Sequence, residues 1–107
     1  VQREAFLRLA DESIERVARW LEVFDPDEVD FSSTDGVLTM EFADKQRYVL
    51  NRQTATDQMW FAAGARAWHY DFDAAKKTWV DDRDGHDLYQ RISEVVSQKI
   101  GRAVPIA

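Results

Sequence analysis

The apolar residues of this 107-residue chain change their spacing twice, and that change constrains the fold more than any single motif does. Over residues 4–21 they fall at Leu7, Ala10, Ile14, Val17, Ala18 and Leu21, the three-and-four spacing that lays one stripe along a helix. No Pro or Gly interrupts this stretch. Asp25-Pro26-Asp27 is expected to end it, because Pro26 restricts its predecessor and offers no N–H. From Val29 the period is two: Val29 and Phe31 alternate with Asp30 and Ser32, and the hairpin pair Asp35-Gly36 leads into Val37–Phe42. Further short strands are expected over residues 47–51, 59–63, 68–73 and 78–81, with polar turns between them. At Leu88 the helical spacing returns and runs through Ile92, Val95, Val96 and Ile100. Asp87 followed by Gln90 fits a capping box at its start, and Gly101 fits the stop.

Helix, about six short strands, helix: this order predicts an α+β, two-layer sandwich. The N- and C-terminal helices cover one face of a single antiparallel sheet and leave the other face to water. Residues 1–107 form one domain at this length. A chain of this mass buries about two thirds of its surface on folding, enough for a core.

Composition then removes classes of function. No apolar run approaches the length that spans a bilayer. The start, Val1-Gln2-Arg3-Glu4, lacks the basic-then-apolar plan of a secretory signal, so a cytoplasmic protein is expected. With no cysteine there is neither a disulfide nor a thiolate metal site. A net charge of −6 disfavours nucleic acid, whose phosphates require a basic surface.

That charge is concentrated. Residues 1–35 hold ten acids (Glu4, Asp11, Glu12, Glu15, Glu22, Asp25, Asp27, Glu28, Asp30, Asp35) against four arginines, and the remainder balances ten acids with ten bases. On a helix Glu4, Asp11, Glu15 and Glu22 share a sector about 40° wide. The i,i+4 pairs Arg8–Glu12, Glu12–Arg16 and Glu15–Arg19 partly offset this edge. Such an array attracts cations or a basic protein surface, and oxygen donors at this spacing make an open, labile site for hard or borderline divalent ions. A plain solvated acidic face is the simpler reading of the same residues.

Catalytic patterns are scarce: no phosphate-binding Gly-rich loop, no HExxH, and no serine or threonine in a nucleophile elbow. Asp81-Asp82-Arg83-Asp84-Gly85 begins like a calcium loop but lacks the closing Glu. Alternation sets His69 opposite Tyr70 and Phe72, facing water if those aromatics face the helices. His86 sits in the loop before the second helix and reads as an ordinary surface histidine; neither histidine has another His or Cys at chelating spacing. Trp60 and Phe61 are adjacent on one strand, so one of them must look outward. Beside Asn51, an outward Trp60 has the character of an interface anchor.

Asn51-Arg52-Gln53, then Gln58-Met59-Trp60, His69-Tyr70-Asp71-Phe72, Trp79 and Asp84-Gly85 resemble the frataxin family in its bacterial form, over nearly the whole chain. The resemblance implies an α-β sandwich and a non-enzymatic role in iron handling and iron–sulfur cluster assembly, as iron donor or sensor and regulator of the cysteine desulfurase. It implies a ridge that binds ferrous and ferric iron weakly, with other divalent cations competing: Asp11, Glu12, Glu15, Glu22, Asp25, Asp27, Glu28 and Asp30. It also implies that Asn51, Gln53, Trp60 and His69 face the desulfurase, with the cluster scaffold as a further partner. A monomer with iron-dependent oligomers is expected on the same ground. Ala18, Arg19 and Val23 depart from the acids that related bacterial ridges often carry, so the ridge is thinner here. Two other readings stand beside this one: an acidic module that binds the desulfurase with metal incidental, and a ferroxidase, for which a Glu-x-x-His motif is absent.

Overall fold

The computed structural model describes residues 2–106. Its elements are α1 (Arg3–Leu21), β1 (Val29–Thr34), β2 (Val37–Phe42), β3 (Arg47–Gln53), β4 (Gln58–Ala63), β5 (Arg66–Asp73), β6 (Thr78–Asp81) and α2 (Leu88–Ile100). A short 3-10 turn, Thr54–Thr56, joins β3 to β4. The six strands pair antiparallel with their sequence neighbours, in the order β1-β2-β3-β4-β5-β6. Both helices pack on one face of this sheet, as the two apolar stripes require.

Helix α1 buries Phe6, Ala10, Ser13, Ile14, Val17, Trp20 and Leu21. Leu7 and Ala18, counted in the sequence stripe, lie at its margin, while Phe6 and Trp20, not counted in it, are buried. The helix stops short of Pro26. The N–H groups of Glu22, Val23 and Phe24 reach carbonyls three residues back, each at 3.2 Å, and this tightening turns Phe24 into the core. The Asp25 carboxylate then accepts the Asp27 N–H at 2.9 Å and turns the chain toward β1.

Asp35 and Gly36 both have positive φ, 51° and 78°, as a two-residue hairpin between Thr34 and Val37 demands. Along each strand alternate residues enter the core, among them Leu38, Met40, Phe42, Tyr48, Leu50, Met59, Phe61, Tyr70 and Trp79. Burying each large apolar side chain is worth about 1.5–3 kcal/mol. Between the helices the Tyr89 hydroxyl donates to Ser13 Oγ at 3.0 Å, so the buried serine is satisfied.

Helix α2 starts as its sequence predicts. The Asp87 carboxylate accepts the Gln90 N–H at 3.0 Å and also the Thr78 hydroxyl at 2.6 Å, which fastens the helix start to β6. Gly101, φ 82°, ends it in the left-handed conformation. Val104 and Ile106 then pack across the helix ends, with Trp20 Nε1 donating to the Pro105 carbonyl at 3.0 Å. Among the described residues no helix is long and apolar enough to cross a membrane.

Candidate functional site

Two surfaces carry the residues singled out by sequence. The first is the acidic edge. Asp11, Glu12 and Glu15 are exposed on α1, Glu22 at its C-terminal cap, Asp25 and Asp27 on the segment that follows, and Asp30 on β1. Two ridge carboxylates are already engaged. Arg52, at the end of β3, donates from Nη1 to Asp11 Oδ1 at 3.0 Å. Arg102, just beyond α2, grips Glu28 with two nitrogens, Nη2 standing 2.9 Å from Oε1. That hydrogen bond holds the Glu28 carboxyl below its ordinary value and raises the Arg102 guanidinium. Of the i,i+4 pairs along α1, Glu15–Arg19 stands at 3.9 Å. Among the described residues no three ridge carboxylates converge within 4.8 Å. The edge is an open array of oxygen donors without a preformed cage.

The second surface is the sheet face turned away from the helices. Register, not loop geometry, assembles it: Asn51 on β3 lies opposite Trp60 on β4, and Trp60 lies opposite His69 on β5. The three side chains therefore form one row across the strands. Trp60 and His69 stack with ring centroids 4.3 Å apart. Trp60 is the half-buried, outward member of its pair, and Phe61 is wholly buried. Gln53 pairs in register with Gln58, two residues along the strands, beside this row on the same face.

Gln58, Asp71 and Asp82 belong to this surface, although the sequence reading gave none of them a site role. Gln58 Oε1 accepts from Trp60 Nε1 at 3.0 Å, while its amide donates to Asp71 at 3.1 Å and to Asp82 at 3.2 Å. Gln58 thus clamps the indole in one orientation. Alternation alone could have flagged Gln58 and Asp71, since both share the outward face of Trp60 and His69. Nothing local to Asp82 announces its role.

His86 corrects the sequence reading. It is no ordinary surface histidine: its side chain is only 15% exposed. The β6–α2 loop folds back, with Asp81 N donating to the His86 carbonyl at 2.9 Å, and this draws the ring against Tyr70 and Trp68. The Tyr70 hydroxyl lies 2.7 Å from His86 Nε2, and Asp84 Oδ1 lies 2.5 Å from Nδ1.

Known proteins share this architecture and sequence. The frataxin-like domain family model matches residues 1–102. The iron-sulfur cluster assembly protein CyaY of Dechloromonas aromatica (strain RCB) is 36% identical over 100 residues, 92% of each chain. Frataxin from Psychromonas ingrahamii superimposes with a TM-score of 0.89 at 25% identity, covering 100% of this chain and 99% of that one. Trimeric frataxin from the yeast Saccharomyces cerevisiae, complexed with ferrous ion, superimposes with a TM-score of 0.76 at 27% identity, covering 88% and 87%. With the two-helix, six-strand sandwich and the Asn51–Trp60–His69 row, these likenesses show that the chain belongs to the frataxin-like family.

Proposed function

We propose that this protein binds iron on its α1–β1 edge and serves iron–sulfur cluster assembly by docking its open sheet face on the cysteine desulfurase and modulating its rate. The observation that carries this reading is the division of the surface. An exposed carboxylate array lies along α1 and the start of β1, and a clamped, half-buried tryptophan lies in an amide-rich row on the opposite sheet face. The names of its relatives support the same assignment. Ferrous iron is cargo here: the oxygen donors hold it weakly, exchange it readily and admit other divalent ions in competition. Nothing in this arrangement calls for catalysis by the chain itself.

One NMR sample titrated first with ferrous iron and then with the apo-desulfurase tests both halves. Iron should broaden or shift residues 11–30, and the desulfurase should extend the response onto Asn51, Gln53, Trp60 and His69. Replacing Asp11, Glu15 and Glu22 together by their amides should lower ferrous occupancy of the edge and leave the fold intact or firmer, since like charges no longer repel. Ridge signals indifferent to ferrous iron would refute the iron half; an unperturbed sheet would refute the docking half.

A second reading, a desulfurase-binding acidic module with metal incidental, is favoured by one specific observation. Arg52 and Arg102 already occupy Asp11 and Glu28, so fewer ridge carboxylates remain for an ion.

A further inference from the structure

We propose that Asp81, Asp84 and His86 form a binding site for a borderline divalent cation, zinc or ferrous iron in class, separate from the α1–β1 edge. One ligand atom from each residue lies within 4.8 Å of the others, and this is the only such convergence of His, Asp and Glu among the described residues. The donor set is mixed, two carboxylate oxygens and one imidazole nitrogen, which suits borderline ions better than calcium or magnesium.

The loop backbone builds this convergence. Asp81 Oδ2 accepts the N–H groups of Arg83 and Asp84, each at 2.9 Å, and Gly85 N donates to the Asp81 carbonyl at 3.1 Å. Residues 81, 84 and 86 are thereby turned to one side.

Two further observations, independent of the clustering, point to a ligand. Asp81 is a carboxylate only 6% exposed, and among the described residues its hydrogen bonds come from backbone N–H groups rather than from a lysine or arginine. The second observation lies outside the cluster. Tyr70, fully buried, places its hydroxyl 2.7 Å from His86 Nε2 and so fixes the ring with Nδ1 toward the carboxylates. Metal-bound histidines are held in this way through their remote nitrogen.

Ligand atoms around a tetrahedral ion with bonds of about 2.1 Å stand about 3.4 Å apart, within reach of small rotations of these side chains. Three protein ligands leave a position for water. The ion would replace the His86 Nδ1–Asp84 hydrogen bond, with the imidazole proton carried on Nε2 toward the Tyr70 oxygen.

The test is calorimetric titration of the full chain with zinc chloride, beside amide NMR spectra. The site predicts a saturable heat of binding and shifts at Gly85, His86 and Asp87. His86→Gln and Asp84→Asn should each weaken this zinc response at least about tenfold, and Tyr70→Phe about tenfold through the lost orientation. The amide replacements at Asp11, Glu15 and Glu22 should leave the loop response unchanged, so failure here is distinguishable from failure of the ridge. Loop amides that ignore millimolar zinc, or binding at the loop indifferent to both ligand variants, would overturn the proposal. If His86→Gln unfolds, Asp84→Asn decides alone, because that side chain is 66% exposed.

Discussion

Trp60 and Phe61 are neighbours on β4 that meet opposite surroundings, because successive strand residues point to opposite faces. Phe61 is fully buried against Tyr48 and Trp68, so Phe61→Ala should cost about 3–5 kcal/mol through the cavity it leaves. Trp60→Ala removes a half-buried ring and its stack on His69 and should cost far less stability, while weakening the desulfurase complex. Denaturant melts of the two variants beside a binding titration separate these outcomes; equal large losses of stability would contradict the assignment. Glu28 offers a pH test at the same scale. Its carboxyl is lowered in the folded chain by the Arg102 hydrogen bond. The stability this contributes is therefore present above the ordinary glutamate value, about 4.3, and is lost as pH falls through the depressed folded value. Glu28→Gln should flatten the acid limb of a stability profile recorded from about pH 6 to about pH 3, and added salt should flatten the parent profile in the same sense.

Each helix is specified at its ends by different means. Helix α2 is capped by a side chain that does two tasks, since Asp87 accepts both the Gln90 N–H and the Thr78 hydroxyl. Asp87→Ala should cost about 0.5–2 kcal/mol for the lost cap. Asp87→Asn, which keeps an acceptor, should recover most of it in a thermal melt. This cap was legible in the sequence because it depends on residues three apart. The end of α1 was legible only roughly. Proline marks where a helix cannot continue, but the 3-10 tightening at Glu22–Phe24 goes with the burial of Phe24 against Trp20 and beneath Arg102, a tertiary term. The strands were legible through alternation, apart from Arg52 and Gln53 at the end of β3, Gln58 at the start of β4, Arg66 and Ala67 at the start of β5, and the 3-10 turn between β3 and β4.

At the scale of the molecule, charge and shape are divided between two faces, and the division has kinetic consequences. The acidic edge should steer the encounter with a basic patch on the desulfurase, while Trp60, Asn51 and Gln53 should govern how long the complex lasts. Replacing Glu22, Asp25 and Asp27 by amides should slow association more than it speeds dissociation and should reduce the response to salt, since screening acts over about 8 Å at physiological ionic strength. Trp60→Ala should do the reverse. Stopped-flow rates at two salt concentrations decide the matter, and an association rate indifferent to both salt and the amide replacements would refute steering.

By itself the sequence determined the element order, the sheet's buried and open faces, and the placing of Trp60 outward with Asn51 and His69. These follow from local periods, 3.6 along a helix and two along a strand, which any short window of the chain contains. Only the tertiary structure decided which charges remain available and which histidine is buried. Arg52 reaches Asp11 across 41 positions and Arg102 reaches Glu28 across 74, pairings that no local spacing encodes. The ring of His86 was drawn in for a similar reason: its environment is made by Tyr70 and Trp68 on a neighbouring strand, and the loop had to close over them before Asp81 and Asp84 could come to its side.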